Sequence, residues 1–74
     1  VYPQHGDFVI RMRRHSAAVF SVSRYGEPLQ LSFDSYQEAA EGTLRSAKRA
    51  GVDVWYTIDG VGFDRIATFR PVAE

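Results

Sequence analysis

From Asp7 onward the chain alternates. Phe8, Ile10 and Met12 share one parity, and Val9, Arg11 and Arg13 share the other. That is the period of a strand with one buried face. Residues 14–17 read as a turn. Ala18, Phe20 and Val22 then alternate with Val19, Ser21 and Ser23, which predicts a second strand. Tyr25-Gly26-Glu27-Pro28 is a strong break. Leu29, Leu31 and Phe33 follow as a short third strand, with Gln30 and Ser32 turned outward.

The period then changes to that of a helix. Ser35 and Glu38 have the spacing of a capping box. Tyr36, Ala39, Ala40, Thr43, Leu44, Ala47 and Ala50 recur at three- and four-residue steps, which predicts one amphipathic helix over residues 36–50. Its acids come first and its bases last, as the helix dipole prefers. Glu41 and Arg45 have the spacing of an ion pair. Gly51 stands where a left-handed cap belongs. Gly42 costs the helix about 1 kcal/mol relative to alanine, and its expected role is close approach of helix to sheet.

Beyond the helix, Val52, Val54, Tyr56 and Ile58 alternate with Asp53, Trp55 and Thr57 as a fourth strand. Asp59-Gly60 signals a hairpin turn. A fifth strand is expected over about residues 63–69, with Gly62 as the place for a bulge and Pro71 as the stop. Residues 1–6 read as a lead-in segment and 71–74 as a tail. The expectation is a single α+β domain: a small four- to five-stranded, mainly antiparallel sheet with one helix on one face, in the order β-β-β-α-β-β. Its predicted core is Phe8, Ile10, Met12, Phe20, Val22, Leu31, Phe33, Tyr36, Ala40, Leu44, Ala47, Val54, Tyr56 and Ile58. One helix covers one face only, so the other must meet solvent, a partner or a second copy.

Composition narrows this picture. A domain of 74 residues hides only about 60–65% of the surface its unfolded chain exposes, so its stability margin is thin. There is no cysteine to add a disulfide or a thiolate metal site. The 45% hydrophobic and 14% aromatic content is that of a packed domain. Nine basic residues balance nine acidic ones, which weighs against a dedicated nucleic-acid binder. The balance is local, however: residues 1–25 carry Arg11, Arg13, Arg14 and Arg24 against Asp7 alone. No apolar run approaches the ~20 residues that span a bilayer, and no membrane partner is expected. A cytoplasmic setting is the expectation. The start at Val1 leaves an exported precursor open.

Three groups of residues carry candidate chemistry. The arginines of the first hairpin, Arg11, Arg13, Arg14 and Arg24, with His15 beside them, could hold phosphates near aromatic rings. The ordinary reading is a solvated strand face, balanced across the sheet by Asp53 and Asp64, and zero net charge favours it. Trp55 falls on the parity opposite the predicted core. Exposed there, it would mark an interface; covered by the lead-in segment through Tyr2 and Pro3, it would be structural. Catalysis has no motif: no G-x-S-x-G, no phosphate-cradling glycine loop, no H-E-x-x-H. His5 and His15 lie in loops, Asp59 with Asp64 reads as turn chemistry rather than a metal site, and a domain of this size has little room for a pocket of ~300 Å³. Neither enzyme activity nor a cofactor is expected.

The stretch from Phe20 to about Ile66 resembles a family of small bacterial domains of unknown function. The likeness rests on two motifs. One is a helix start of the form Phe-x-Ser/Thr-x-x-Glu-Ala, here Phe33-Asp34-Ser35-Tyr36-Gln37-Glu38-Ala39. The other is a closing Asp-Gly hairpin, here Ile58-Asp59-Gly60-Val61. That family tends to carry Gly-Trp in its opening hairpin where this chain has Val19-Phe20, and the strand at residues 7–14 is an addition. The resemblance implies the fold and carries over no functional residue. The function expected from the sequence is a non-catalytic protein-binding module using the sheet face opposite the helix, with a protein partner or a homodimer. The alternative is weak nucleic-acid binding through the first-hairpin arginines.

Overall fold

A computed structural model describes residues 2–14, 18–28 and 30–71 of the chain, without the side chains of Arg13, Arg14, Ala18 and Gln30. Leu29 and His15 lie outside the described residues. The elements are β1 (Phe8–Arg14), β2 (Ala18–Arg24), β3 (Gln30–Phe33), α1 (Tyr36–Ala50), β4 (Val54–Thr57) and β5 (Asp64–Ala67). They form one five-stranded sheet in the order β3-β2-β1-β4-β5. β1–β2, β2–β3 and β4–β5 are antiparallel, as short connections require. β1 and β4 run parallel at the centre, because the chain returns there through α1. The fold is α+β with a mixed sheet.

α1 begins and ends as its sequence dictates. The Ser35 hydroxyl accepts the Glu38 amide at 3.1 Å. Gly51 takes the left-handed conformation (φ 71°) and donates its amide to the Ala47 carbonyl at 2.8 Å. The carboxylate of Glu41 accepts from Gln37 at 3.1 Å, rather than pairing with Arg45. Gly42 does not serve close packing: a Cβ built there meets nothing within 4 Å.

The core lies between α1 and one sheet face. Ile10, Val22 and Val54 from the strands meet Ala39, Ala47 and Val52, with Phe8, Phe20, Phe33, Leu44 and Tyr56 partly buried around them. Three predicted core residues are exposed instead: Leu31 at 60%, Ile58 at 60% and Tyr36 at 41%. Leu31 is on the correct face but on an edge strand. Ile58 falls just past the end of β4. Tyr36, at the first turn of the helix, sets its ring edge-on to Phe20 and Tyr56 at centroid distances of 5.8 and 5.5 Å. The bulge lies within β5, where Val54 faces Ala67 while Trp55 faces Arg65, and not at Gly62. The β4–β5 connection spans residues 58–63, longer than the two-residue hairpin its Asp-Gly suggested.

Candidate functional site

On the sheet face opposite α1, the end at the start of β1 is closed by a carboxylate. Asp7 is fully buried. Its oxygens accept from the Gln4 amide (2.9 Å), the Asp53 amide (3.1 Å), the Trp55 indole N–H (3.1 Å) and the Arg70 guanidinium (2.6 Å). Burial pushes this carboxyl up, but the Gln4 and Asp53 amides, Arg70 and Trp55 together hold it below the usual carboxylate range. Arg70 also donates to the His5 carbonyl at 3.3 Å. One side chain therefore joins the lead-in segment, the start of β4 and the segment after β5.

Trp55 is consequently not a surface residue. It is 2% exposed, and the Arg65 guanidinium lies 5.7 Å from its ring centroid. Pro3 of the lead-in segment is buried as well. Of the two readings open in the sequence, burial is found, with Asp7 and Arg65 against the indole, while Tyr2 is exposed and meets Phe63 instead. Arg65 also reaches Asp53 at 3.7 Å, and Thr68 donates to the same aspartate at 2.6 Å. Asp53 is thus balanced from β5, and neither Arg11 nor Arg24 pairs with it.

The first-hairpin arginines do not form one cluster. Arg24 is paired with Phe8, so it stands on the helix side of the sheet. Its guanidinium lies 5.2 Å from the Phe8 ring centroid, and its Nε donates to the Gly6 carbonyl at 3.0 Å. Arg11 stands on the other face, opposite Ser21 on β2 and Thr57 on β4. The side chains of Arg13 and Arg14 lie outside the described residues.

Arg11 sits at a shallow depression of about 140 Å³ with Val9, Ser21, Ser23 and Thr57, walled by Tyr25 and Phe63. Phe63 anchors that wall, meeting Tyr2 and Tyr25 edge-on at 6.2 Å each. The β4–β5 loop closes the far side. Its turn is held by Asp59, whose carboxylate accepts from the Val61 and Gly62 amides at 2.8 and 2.9 Å. Those bonds, Gly62 first, lower the Asp59 pKa. The Thr57 hydroxyl accepts the Gly60 amide at 2.9 Å and donates to the Gly62 carbonyl at 2.7 Å. Gly60 (φ 78°) lets the Arg11 guanidinium lie against the turn, 3.1 Å from where a Cβ would stand. Because Asp59 is committed to its own loop, no carboxylate among the described residues pairs with Arg11.

A second depression, of about 310 Å³, opens beneath that loop beside Tyr56, Ile58 and Asp64. Space of that size was not expected in so short a chain. It is open to solvent on a loop, and its Asp59 is already engaged. Sequence reasoning missed Tyr25, Phe63 and the two serines as neighbours of Arg11, because the β2–β1–β4 order that assembles them is not written in any local pattern.

No protein-family model matches the chain, and comparisons with curated proteins and with solved structures find no match either. Among the described residues, no helix is long and apolar enough to cross a membrane.

Proposed function

We propose that the domain is a non-catalytic protein-interaction module that receives an acidic side chain of a protein partner at Arg11, on the sheet face opposite α1. One observation carries this reading: a solvent-facing guanidinium with no carboxylate partner among the described residues, set among hydroxyls and flanked by two aromatic rings. An arginine in such a setting suits a carboxylate, with charge-assisted bonds supplying orientation. The volume of about 140 Å³ suits one side chain rather than a free cofactor. The same arginine and rings could meet a nucleic acid, but a net charge of zero supplies no field to hold a phosphate backbone.

Selection of a displayed random-peptide library against the purified domain tests this. Enriched peptides are expected to carry Asp or Glu beside an apolar residue and to bind Arg11→Ala about tenfold or more weakly. Peptides that bind the variant equally well would overturn the reading. Binding of a single-stranded oligonucleotide that falls steeply with salt would replace it with the nucleic-acid alternative.

A further inference from the structure

The two edges of the sheet differ. β5 (Asp64–Ala67) carries an aspartate and an arginine and contains the bulge, features that discourage pairing with another strand. β3 (Gln30–Phe33) has no charge and no proline, and among the described residues nothing pairs with its outer side. Leu31 stands on this open edge, 60% exposed and on the helix side, where it is paired with Val22.

Beside Leu31 lie two adjoining apolar depressions of about 160 Å³ each, which share Phe8, Val22 and Leu31. The second runs under α1 to Gly42, Thr43 and Ser46. The space at Gly42, where a Cβ would touch nothing, belongs to this groove. A protruding leucine and an apolar hollow therefore sit side by side on the edge with which no described residue pairs.

The geometry points to a second copy of this chain as the occupant. Two β3 strands paired antiparallel about a two-fold axis would make one ten-stranded sheet. Facing residues in a sheet share a face, so the pairing must be centred on a residue and not between two. Centred on Ser32, it sets Leu31 opposite Phe33 of the other copy, twice, on the helix side. The same axis lays the two α1 helices antiparallel on one face. Glu38, in the first turn of each, then comes level with Arg49 in the last turn of the other, both on the flank of Gly42 and Ser46. Apolar fit and charge complementarity thus favour the same symmetric arrangement.

This surface is separate from Arg11, so the two readings stand or fall independently. Sedimentation equilibrium across a concentration series is expected to show a monomer–dimer equilibrium. Leu31→Lys should raise its dissociation constant about tenfold or more, while circular dichroism confirms the fold and Arg11→Ala leaves the equilibrium unchanged. Ser32→Cys offers a second readout in a chain with no cysteine of its own. Facing Cα atoms about 4.5–5.5 Å apart fall within disulfide reach. Mild oxidation should therefore link this variant into a covalent dimer and leave an exposed control, Gln37→Cys, unlinked. A monomer at every concentration, or a dimer that Leu31→Lys does not weaken, would overturn the proposal.

Discussion

The two faces of one sheet are closed by opposite means. Toward α1, closure is apolar: Ile10, Val22 and Val54 lose water against alanines of the helix. That attraction is non-directional and tolerates a groove left beside Gly42 and Leu31. On the other face, closure is polar and directional. A single carboxylate gathers two amides, an indole and a guanidinium from segments far apart in the chain. The first kind of closure degrades gradually when atoms are removed. The second depends on charge, and leaving any one of its members unpaired is costly.

Substitutions can separate the two. Ile10→Ala, at a fully buried position, is expected to cost about 2–5 kcal/mol in urea denaturation, by much the same amount at pH 7 and pH 4. Asp7→Asn is expected to cost about 3 kcal/mol at pH 7, because it leaves the Arg70 charge without its counterpart. Its penalty should shrink with acid. The Asp7 pKa is lowered in the folded state, so its contribution is full above the usual carboxylate value near 4. It is lost as pH falls through the lower folded value. Wild type should therefore lose stability below about pH 5 more steeply than Asp7→Asn does. An identical slope in both would show that the carboxylate does not govern this face. The smallest effects test α1 alone. Gly42→Ala should gain about 1 kcal/mol, since the added methyl enters open space. Ser35→Ala should lose about 1 kcal/mol with its cap. A loss at Gly42→Ala would mean that the helix approaches the sheet more closely than described.

The apolar closure was legible in the sequence and the polar one was not. Alternation along β1, β2 and β4 and the stripe on α1 repeat over many residues, so an error at one position leaves the pattern standing. The misplaced core residues lie where a pattern meets its limit: Leu31 on an edge, Ile58 past a strand end. Asp7 carries no periodic signal. It looks like a loop aspartate ahead of a strand, and its partners lie up to 63 positions away. Trp55 shows the same division. Its parity placed it correctly on the face opposite the helix, yet its burial depends on Asp7 and on what β5 brings over it. Arg11 was legible as an outward cation. Its hydroxyl and aromatic surroundings required the strand order, and Arg24 was separated from it by parity alone.

Apart from the link to Gln4, the side-chain bonds to the Asp7 carboxylate close loops of 46, 48 and 63 residues. The β1–β2 and β2–β3 pairings and the turns of α1 need only local encounters. Long loops lose the most chain freedom on closing, so these bonds are expected to form after the meander and the helix. A contact made late on the path up contributes to how slowly the native state comes apart rather than to how quickly it is reached. Asp7→Asn should accordingly speed unfolding while leaving the refolding rate nearly unchanged. The buried carboxylate then sets the lifetime of the folded domain, and the alternating strands set the time needed to reach it.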